Sequence, residues 1–397
     1  MALPAPPKAN RRAWPALLTL TDDLLEDIFL RVPTPTDLAR ACVACATFRR
    51  IITDRSFLRR FRAVHPPPLL GFVPCWRPGF LPAQPPYPSA PLGLAVADAA
   101  DFSYSFVREG KWKNSPWIPC DVRQGRVLLK CCRNHGNLLT SPSDVELVVC
   151  DPIFRRFVEL PPIPDDLVDN RRFDLGHLLA PTAGGEDEVE TSFKVICTAA
   201  NHTTLVAVVY SSVTGHWCTA ASRSWTSLST AVPLPCPGGS SIFDYSQGYF
   251  FWMSIWRSSS LMFDPIRMEF SIVQNVPKHS PKFPVVAVGT EGIPEMFILS
   301  DDSFHLLHFD IAKGNEPSIN EWQLRGTIPL PRNCMFYTTL GAAEGFLFLH
   351  AIPSLKDPPD YCLLDTKTCE LKKVCGNHQK RFNRVNAFFG FPRSLVK

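Results

Sequence analysis

The chain has 397 residues, a formal net charge of +4 and 45% hydrophobic residues, and these values exclude several classes of protein. A chain of this length holds about two or three domains, and its ordinary apolar and charged content excludes a disordered or fibrous protein. The mild positive charge gives no electrostatic reason to expect a nucleic-acid partner. No apolar run approaches the roughly 18 residues of a membrane span, so we expect no membrane partner.

The 14 cysteines are spread from Cys42 to Cys375 without the spacing of a disulfide framework. Many lie in apolar stretches such as Val148–Asp151, where a thiol behaves as a small buried hydrophobic group. The apolar stretch near the N-terminus is interrupted by Pro15 and is too short for the core of a signal peptide. These features predict a reducing location, in the cytoplasm, the nucleus or both.

Residues 1–15 are rich in proline and alanine, which predicts a disordered tail. From Asp22 onwards the apolar residues follow a helical period of 3.6. They are Leu24, Leu25, Ile28, Phe29 and Val32. At about 100° per residue they cover an arc of roughly 140°, which is wider than a helix needs to pack on a single core. The surplus apolar surface predicts an outside partner for this helix.

Pro33 ends the first predicted helix, and residues 34–37 form a capping-box start for a second helix that ends near Ile52. Asp54 can cap a short third helix. We therefore predict a small all-α domain of three short helices at residues 16–63. The stretch that follows, at residues 64–92, is rich in proline, and this composition predicts an extended connector.

From residue 93 onwards the pattern changes to short β-type runs bounded by turn residues. One type of run begins with glycine, and another ends with aspartate. The positions are Gly125, Gly248 and Gly345 for the first type and Asp151, Asp264, Asp310 and Asp365 for the second. Each glycine-led run should form a hairpin with an aspartate-ended run, and each aspartate should accept amide protons from the turn that follows it.

The spacing of the aspartates, in multiples of about fifty residues, is typical of four-stranded propeller blades. We therefore predict an all-β domain at residues 93–397, folded as a β-propeller of about six blades. A β-sandwich is the alternative.

Three groups of residues contain potential metal ligands: Cys42 with Cys45; Cys369 with Cys375 and His378; and His305 with His308 and Asp310. The first two groups match no standard zinc spacing. Histidines three positions apart on a strand point to opposite faces, so the third group is also predicted to be structural. Nucleotide-binding and hydrolase motifs are missing from the sequence. The sequence therefore predicts a non-enzyme without metal or cofactor.

The pattern from Leu20 to Arg49 resembles an F-box, a small helical module that docks onto a Skp-type adaptor and so recruits a cullin-based ubiquitin ligase. The residues that carry the resemblance are Leu20, Asp23, Leu24, Leu25, Ile28, Arg31, Pro33, Asp37, Leu38, Arg40, Cys45, Phe48 and Arg49. Two positions depart from the family pattern: Thr21 stands where proline is common, and Phe48 where tryptophan is frequent. Threonine can still cap the first helix, and phenylalanine still fills an aromatic core position.

The resemblance implies that six apolar residues contact the adaptor: Leu20, Leu24, Leu25, Ile28, Pro33 and Leu38. The alternative is that all six belong to the core of the helical domain. A helical unit of about 45 residues buries too little surface to be stable alone, which favours contact with a partner.

The stretch Asp151–Pro162, with Asp-Pro at its start and Leu-Pro-Pro at its end, is similar to the F-box-associated β domains of plant F-box proteins. Together the two resemblances imply a non-catalytic substrate-recognition subunit of a Skp-cullin-F-box ubiquitin ligase. Its β domain would bind an unidentified target protein for degradation. Two alternatives are a free-standing β-propeller that binds a small molecule or sugar, and an adaptor-bound scaffold that works outside the ligase.

Overall fold

The computed structural model of the chain divides into two compact units, Met1–Pro68 and Leu69–Lys397, here called the helical unit and the β unit. The described residues are 20–33, 35–65, 67–75, 77–112, 115–132, 142–168, 173–180, 192–201, 203–228, 241–246, 249–254, 259–274, 284–288, 293–313, 320–343, 345–376 and 384–390. The predicted disordered tail at residues 1–15 lies outside these ranges, as does Thr34, the predicted cap of the second helix.

The helical unit contains four short helices among its described residues: α1 (Asp22–Leu30), α2 (Pro35–Ala44), α3 (Ala46–Ile52) and α4 (Arg55–Val64). The sequence predicts three helices, and the difference arises at Cys45. Its backbone is extended, with φ −157° and ψ 163°, and its Sγ accepts a hydrogen bond from the Phe48 amide at 3.4 Å. Because Cys45 interrupts the helix and caps the next one, the predicted second helix is split in two.

The starts of the first and last helices match the prediction to different degrees. The Asp54 carboxylate accepts hydrogen bonds from the amides of Ser56 at 2.8 Å and Phe57 at 3.3 Å, so the predicted cap of the last helix is confirmed. Helix α1 begins directly after Thr21, but the Thr21 side chain makes no capping hydrogen bond to any described residue. The entry into α1 therefore lacks a contribution that a capping side chain typically makes, about 1 kcal/mol.

The helical unit has an apolar core of its own. Its buried residues are Leu25, Phe29, Leu38, Phe48, Ile51, Ile52, Phe57 and Phe61. The rings of Phe29 and Phe48 meet edge to face with centroids 5.0 Å apart, a geometry worth about 0.5–1.5 kcal/mol beyond the burial itself. Phe48 thus fills the core position that the sequence assigns to an aromatic ring.

The β unit is built mainly from antiparallel strands. It begins with β1 (Leu69–Pro74), β2 (Leu81–Pro82) and the helix α5 (Ala90–Ala99). The first four-stranded sheet contains β3 (Ile118–Arg123), β4 (Arg126–Cys132), β5 (Val145–Asp151) and β6 (Arg156–Glu159). The second contains β7 (Phe173–Leu179), β8 (Lys194–Ala200), β9 (Thr204–Ser211) and β10 (His216–Ser224), and the short helix α6 (Trp225–Leu228) follows it.

Three further groups of four strands complete the series. The third group contains β11 (Ser241–Ser246), β12 (Tyr249–Ser254), β13 (Ser259–Asp264) and β14 (Glu269–Gln274). The fourth contains β15 (Val285–Val288), β16 (Pro294–Leu299), β17 (His305–Lys313) and β18 (Asn320–Pro329). The fifth contains β19 (Phe336–Ala343), β20 (Phe346–Ile352), β21 (Asp360–Asp365) and β22 (Leu371–Cys375), and β23 (Val385–Phe389) is the last strand.

The five groups have the arrangement of propeller blades. Each is an antiparallel meander, and the first strands of successive groups lie side by side, β3 with β7, β11 with β15, and β15 with β19. The third and fourth groups are also joined at their last strands, where β14 pairs in parallel with β18. The predicted β-propeller is therefore confirmed as an architecture, and the described residues form five four-stranded blades. The sandwich alternative does not describe the unit.

A three-stranded sheet joins the two ends of the β unit. Its order is β2-β1-β23, so a strand from the start of the unit pairs with its last strand; the register matches Phe72 to Ala387 and Val73 to Asn386. The strand β23 also lies beside β19 of the fifth blade and β3 of the first.

The predicted connector at residues 64–92 is therefore not an extended linker. From Leu69 onwards its residues belong to the β unit and form β1, β2 and the start of α5. Pro74 and Pro82 are each the last residue of a strand, and Pro91 lies in the first turn of α5. At these positions a missing amide proton breaks few hydrogen bonds, which is why a proline-rich stretch can carry regular structure.

Every pair of neighbouring sheets shares an apolar core. Buried residues of the first and second blades pack together, as do those of the second and third, the third and fourth, and the fourth and fifth. The three-stranded sheet shares one core with the fifth blade and another with the first. Among the residues that the structure describes, none of the helices has the length and apolar content to cross a lipid bilayer.

Candidate functional site

The first candidate site is the outward face of α1. Its four central apolar residues form two pairs spaced by four positions, so each pair occupies one side of the helix. Leu25 and Phe29 are 1% and 5% exposed and fill the core of the helical unit, whereas Leu24 and Ile28 are 50% and 42% exposed. The wide apolar arc predicted from the sequence is thus divided between the core and an uncovered pair, which we call the Leu24/Ile28 face.

The structure separates the six residues predicted to contact an adaptor. Leu24, Ile28 and Pro33 are exposed, and Leu20 is partly buried. Leu25 and Leu38 lie in the core of the helical unit, at 1% and 5% exposure. The two buried leucines are therefore core residues of α1 and α2, whereas the other four are exposed or partly exposed.

Ion pairs hold α1 against the two helices beneath it. Asp22 Oδ2 lies 2.7 Å from an Arg50 guanidinium nitrogen on α3, and Glu26 Oε2 lies 2.6 Å from Arg60 on α4. Arg60 also lies 3.9 Å from Asp27. Such exposed pairs contribute only about 0–1 kcal/mol each. Their main effect is to fix the orientation of α1 and so keep the Leu24/Ile28 face outward.

Three of the four recurring aspartates close a turn in the predicted manner. The carboxylate of Asp151 accepts the amides of residues 153 and 154 at 3.0 and 3.1 Å. The Asp264 carboxylate accepts the amides of residues 266 and 267 at 2.8 and 3.0 Å. The Asp365 carboxylate accepts the amides of residues 367 and 368 at 2.8 and 3.1 Å. These three aspartates therefore have a structural role in the blade turns.

The fourth recurring aspartate lies in a different setting. Asp310 is inside the nine-residue strand β17, and it clusters with His308 on the same strand, Glu295 on β16 and Arg325 on β18. We call this group the His308 cluster. His305 takes no part in it and pairs instead with Asp302 at 2.9 Å.

The predicted separation of His305 from His308 therefore agrees with the structure, but the interpretation of the third set as three ordinary strand residues missed a cluster. Asp310 lies two positions from His308 and so shares its face. Glu295 comes from the neighbouring strand, opposite Asp310 in the hairpin register. Counting that register outward from the turn at residues 301–304, where the Ser300 amide donates to the His305 carbonyl at 2.9 Å, would have found Glu295 from the sequence.

Other ionisable groups of the β unit are buried in structural positions. Asp121 is 3% exposed, and its two carboxylate oxygens accept the amides of Val122 and Leu179, each at 2.8 Å. This side chain therefore links β3 of the first blade to β7 of the second. Burial raises the pKa of Asp121, and it raises the pKa of the Cys131 thiol to about 11 and that of Cys362 to about 12. Both thiols are protonated at neutral pH, the form that is not nucleophilic.

The cysteine groups named in the sequence analysis are not brought together with other ligands into a set of three or more among the described residues. Cys45 caps α3 through its sulfur, and Cys42 is partly buried on α2. Near the C-terminus, Cys369 is exposed and Cys375 is buried, while His378 lies outside the described residues.

Comparison with known proteins gives only distant similarities in structure. No protein-family model matches the sequence, and no curated protein matches it. TolB from Acinetobacter baumannii is similar over 76% of this chain and 62% of its own, with 11% identity and a TM-score of 0.37. YCF48 from Cyanidioschyzon merolae is similar over 66% and 70%, with 8% identity and a TM-score of 0.36.

A nidogen/laminin complex contains a third similar chain, matched over 69% of this chain and 86% of its own, with 8% identity and a TM-score of 0.35. The chain thus spans about three fifths of TolB, the first of these structures. The similarities identify neither a family nor a function.

Proposed function

We propose that the helical unit is an F-box and that the chain is the substrate-recognition subunit of a Skp-cullin-F-box ubiquitin ligase, acting in the cytoplasm, the nucleus or both. The observation that carries the proposal is the Leu24/Ile28 face. Two large aliphatic side chains, one helical turn apart, remain about half exposed while their neighbours Leu25 and Phe29 fill the core. An apolar surface bordered by charged residues is typical of a protein-binding site.

Direct adaptor contact is assigned to Leu20, Leu24, Ile28 and Pro33. Leu25 supports this surface from below, because it is a core residue of the same helix. Leu38 is a core residue of α2 and is not exposed for direct contact. Thr21, which makes no capping bond to a described residue, gives α1 a less rigid entry than proline would, since proline fixes φ. We therefore expect Thr21→Pro to strengthen adaptor binding or leave it unchanged.

The energy available from the Leu24/Ile28 face can be estimated from the exposed fractions. Complete burial of such a side chain is worth about 1.5–3 kcal/mol, and about half of that remains to be gained here. Losing both contributions costs about 2 kcal/mol, which is about 30-fold in affinity. A carboxylate placed at a dry interface adds a desolvation penalty, so Leu24→Asp/Ile28→Asp should weaken adaptor binding by at least about 30-fold.

The test is the dissociation constant of the full chain with a purified Skp-type adaptor, measured by isothermal titration calorimetry. Val64→Asp is the matched control, because Val64 is 61% exposed on α4 of the same unit and receives the same change. We expect the control to bind within about threefold of the wild type. Equal affinity of the double variant and the wild type would refute the proposal. Leu25→Asp is the control for unfolding. Because Leu25 is a core residue, we expect this variant to lose helical circular dichroism as well as adaptor binding, whereas the Leu24→Asp/Ile28→Asp variant should lose binding alone.

The β unit is proposed to bind the target protein, with no bond chemistry of its own. Its contribution is effective concentration, since holding a target and an adaptor on one chain makes transfer of ubiquitin intramolecular. Cells carrying the Leu24→Asp/Ile28→Asp variant should accumulate proteins captured by the β unit, to the level that proteasome inhibition gives with the wild type. If neither the double variant nor proteasome inhibition changes the level of any captured protein, although the wild type binds the adaptor, then the chain is an adaptor-bound scaffold and the ligase role is refuted.

The three-stranded sheet β2-β1-β23 is proposed to act as a sixth blade, in agreement with the predicted number. Two observations support this: it shares an apolar core with both the fifth and the first blade, and β23 lies beside β3 and β19, the first strands of those blades. Pairing strands from both ends of the unit would close the ring without leaving an open sheet face.

A further inference from the structure

The His308 cluster lies on one face of the fourth blade, in a part of the chain that adaptor binding does not use. In the other repeats the corresponding aspartate is occupied by amides of a turn. Here β17 continues to Lys313, three residues beyond Asp310, so the turn has moved along the chain. The Asp310 side chain is directed instead at His308 and Arg325, at 3.4 Å from each.

The cluster contains an unfavourable charge pair. Glu295 and Asp310 are directly opposite each other on β16 and β17, and like charges in that position destabilise a sheet. The two side chains are 18% and 36% exposed, so solvent screens them only in part. Arg325 balances one of the two negative charges.

The atoms that face one another have the spacing of metal ligands. His308 Nε2 lies 3.3 Å from Glu295 Oε2 and 3.4 Å from Asp310 Oδ1. One ligand atom from each of the three residues lies within 4.8 Å of the other two. Ligands bound tetrahedrally at about 2.0–2.2 Å from Zn²⁺ are separated by roughly 3.3–3.6 Å. Nε2 and Oδ1 are both shielded from solvent, and neither makes a well-directed hydrogen bond in the described structure.

Neighbouring groups hold the three ligands in position. The register between β17 and β18 shifts after His308: His308 is opposite Gly326, but the next residue, Phe309, is opposite Leu324. Arg325 is the extra residue of this bulge, and a bulge re-aims a side chain. Its guanidinium lies 3.7 Å from Glu295 Oε1 and 3.4 Å from Asp310 Oδ2, the oxygens that do not face the histidine.

The histidine ring is also fixed in orientation. It stacks on Phe297, with centroids 4.4 Å apart and planes 13° from parallel. Polar groups that orient metal-binding carboxylates from outside, as Arg325 does here, are typical of metal sites.

We infer that the His308 cluster binds one divalent transition-metal ion of the Zn²⁺ class, through His308 Nε2, Glu295 Oε2 and Asp310 Oδ1, with water as the fourth ligand. The nitrogen ligand disfavours Mg²⁺ and Ca²⁺, which prefer oxygen. The ion would tie β16 to β17 and cancel the repulsion between the carboxylates. This inference does not depend on adaptor binding.

The test compares two matched double variants of the full chain by equilibrium dialysis against buffered Zn²⁺. Glu295→Gln/His308→Gln removes one carboxylate and one imidazole from the cluster. Asp302→Asn/His305→Gln removes the same groups from the neighbouring pair that lies 2.9 Å apart outside the cluster. The free thiols of the chain are unchanged in both variants, so zinc taken up by thiols cancels in the comparison and the difference in bound metal reports the cluster.

We expect the cluster variant to bind one ion fewer than the wild type, and the control to bind the same number as the wild type. Absorption of Co²⁺-loaded protein should lose its N/O-ligand d–d bands in the cluster variant alone. If the double variant does not fold, Asp310→Asn replaces it as a milder change, and its affinity for Zn²⁺ should be at least tenfold lower than that of the wild type. Equal metal content in the cluster variant and the wild type would overturn the inference. So would a cluster variant that changes only the pH dependence of unfolding, because the cluster would then be an ion-pair network with a protonated histidine.

Discussion

Replacing Phe388 by alanine tests whether the last strand closes the β unit. The Phe388 side chain is fully buried, and its ring centroid lies 5.2 Å from that of Phe102 and 5.7 Å from that of Phe80. Removing a buried phenylalanine typically costs about 3–5 kcal/mol. Because β23 joins sheets from both ends of the unit, the loss should lower the stability of the whole unit and not only that of the terminus.

The assay is urea unfolding of the full chain followed by tryptophan fluorescence. Trp14 is the only one of the nine tryptophans that precedes Leu69, so the signal comes mainly from the β unit. At a slope of about 3 kcal/mol per molar urea, the midpoint should fall by about 1 M or more. Phe154→Ala is the control, because Phe154 is 56% exposed and its loss should change stability by no more than about 0.5 kcal/mol. Equal midpoints for the two variants would refute ring closure by β23.

Asp151→Ala should destabilise the β unit by about 2 kcal/mol in urea unfolding, because two amides of the turn lose their acceptor. Hydrogen bonding from Ser300 lowers the pKa of Asp302 to about 2 from its ordinary 3.8. Its carboxylate therefore favours the folded state above about pH 4, and this contribution is lost as the pH falls towards 2; carboxyl NMR shifts should report the low pKa. The exposed thiols of Cys218 and Cys369 should be alkylated in the native chain, whereas burial raises the pKa of Cys362 to about 12 and should delay its reaction until unfolding; peptide mass spectrometry measures the order.

Local signals in the sequence predict local structure well. The run led by Gly125 pairs with the run that ends at Asp151, as β4 with β5, because a hairpin depends on alternation and turn residues within a short segment. The three-stranded sheet could not be predicted in the same way. Its strands β1 and β23 lie at opposite ends of the β unit, and the proline-rich composition around β1 is typical of a linker even though its prolines occupy permissive positions.

Periodicity predicts how wide the apolar arc of α1 is, but not which part of it faces outward. Rotating the helix by about 100° would exchange the two pairs. The choice is made by tertiary contacts, in which Phe29 packs on Phe48 and the ion pairs of Asp22 and Glu26 hold the opposite edge. These partners lie 19 to 34 residues away along the chain, beyond the reach of a helical pattern.

Asp310 recurs at the position of the turn-closing aspartates but belongs to the His308 cluster instead. The effect of a substitution in that cluster on stability should therefore have opposite signs with and without metal. Without metal, Glu295→Gln removes the repulsion from Asp310 and also the attraction to Arg325, which is 59% exposed and therefore contributes little. The variant should thus be as stable as the wild type or more stable, by up to about 1 kcal/mol. With saturating Zn²⁺ only the wild type gains binding energy in the folded state, so the order should reverse. Thermal unfolding with EDTA and with Zn²⁺ measures both. If Glu295→Gln lowers the stability equally with EDTA and with Zn²⁺, Glu295 contributes to packing alone. Metal binding requires the change in stability to differ between the two conditions.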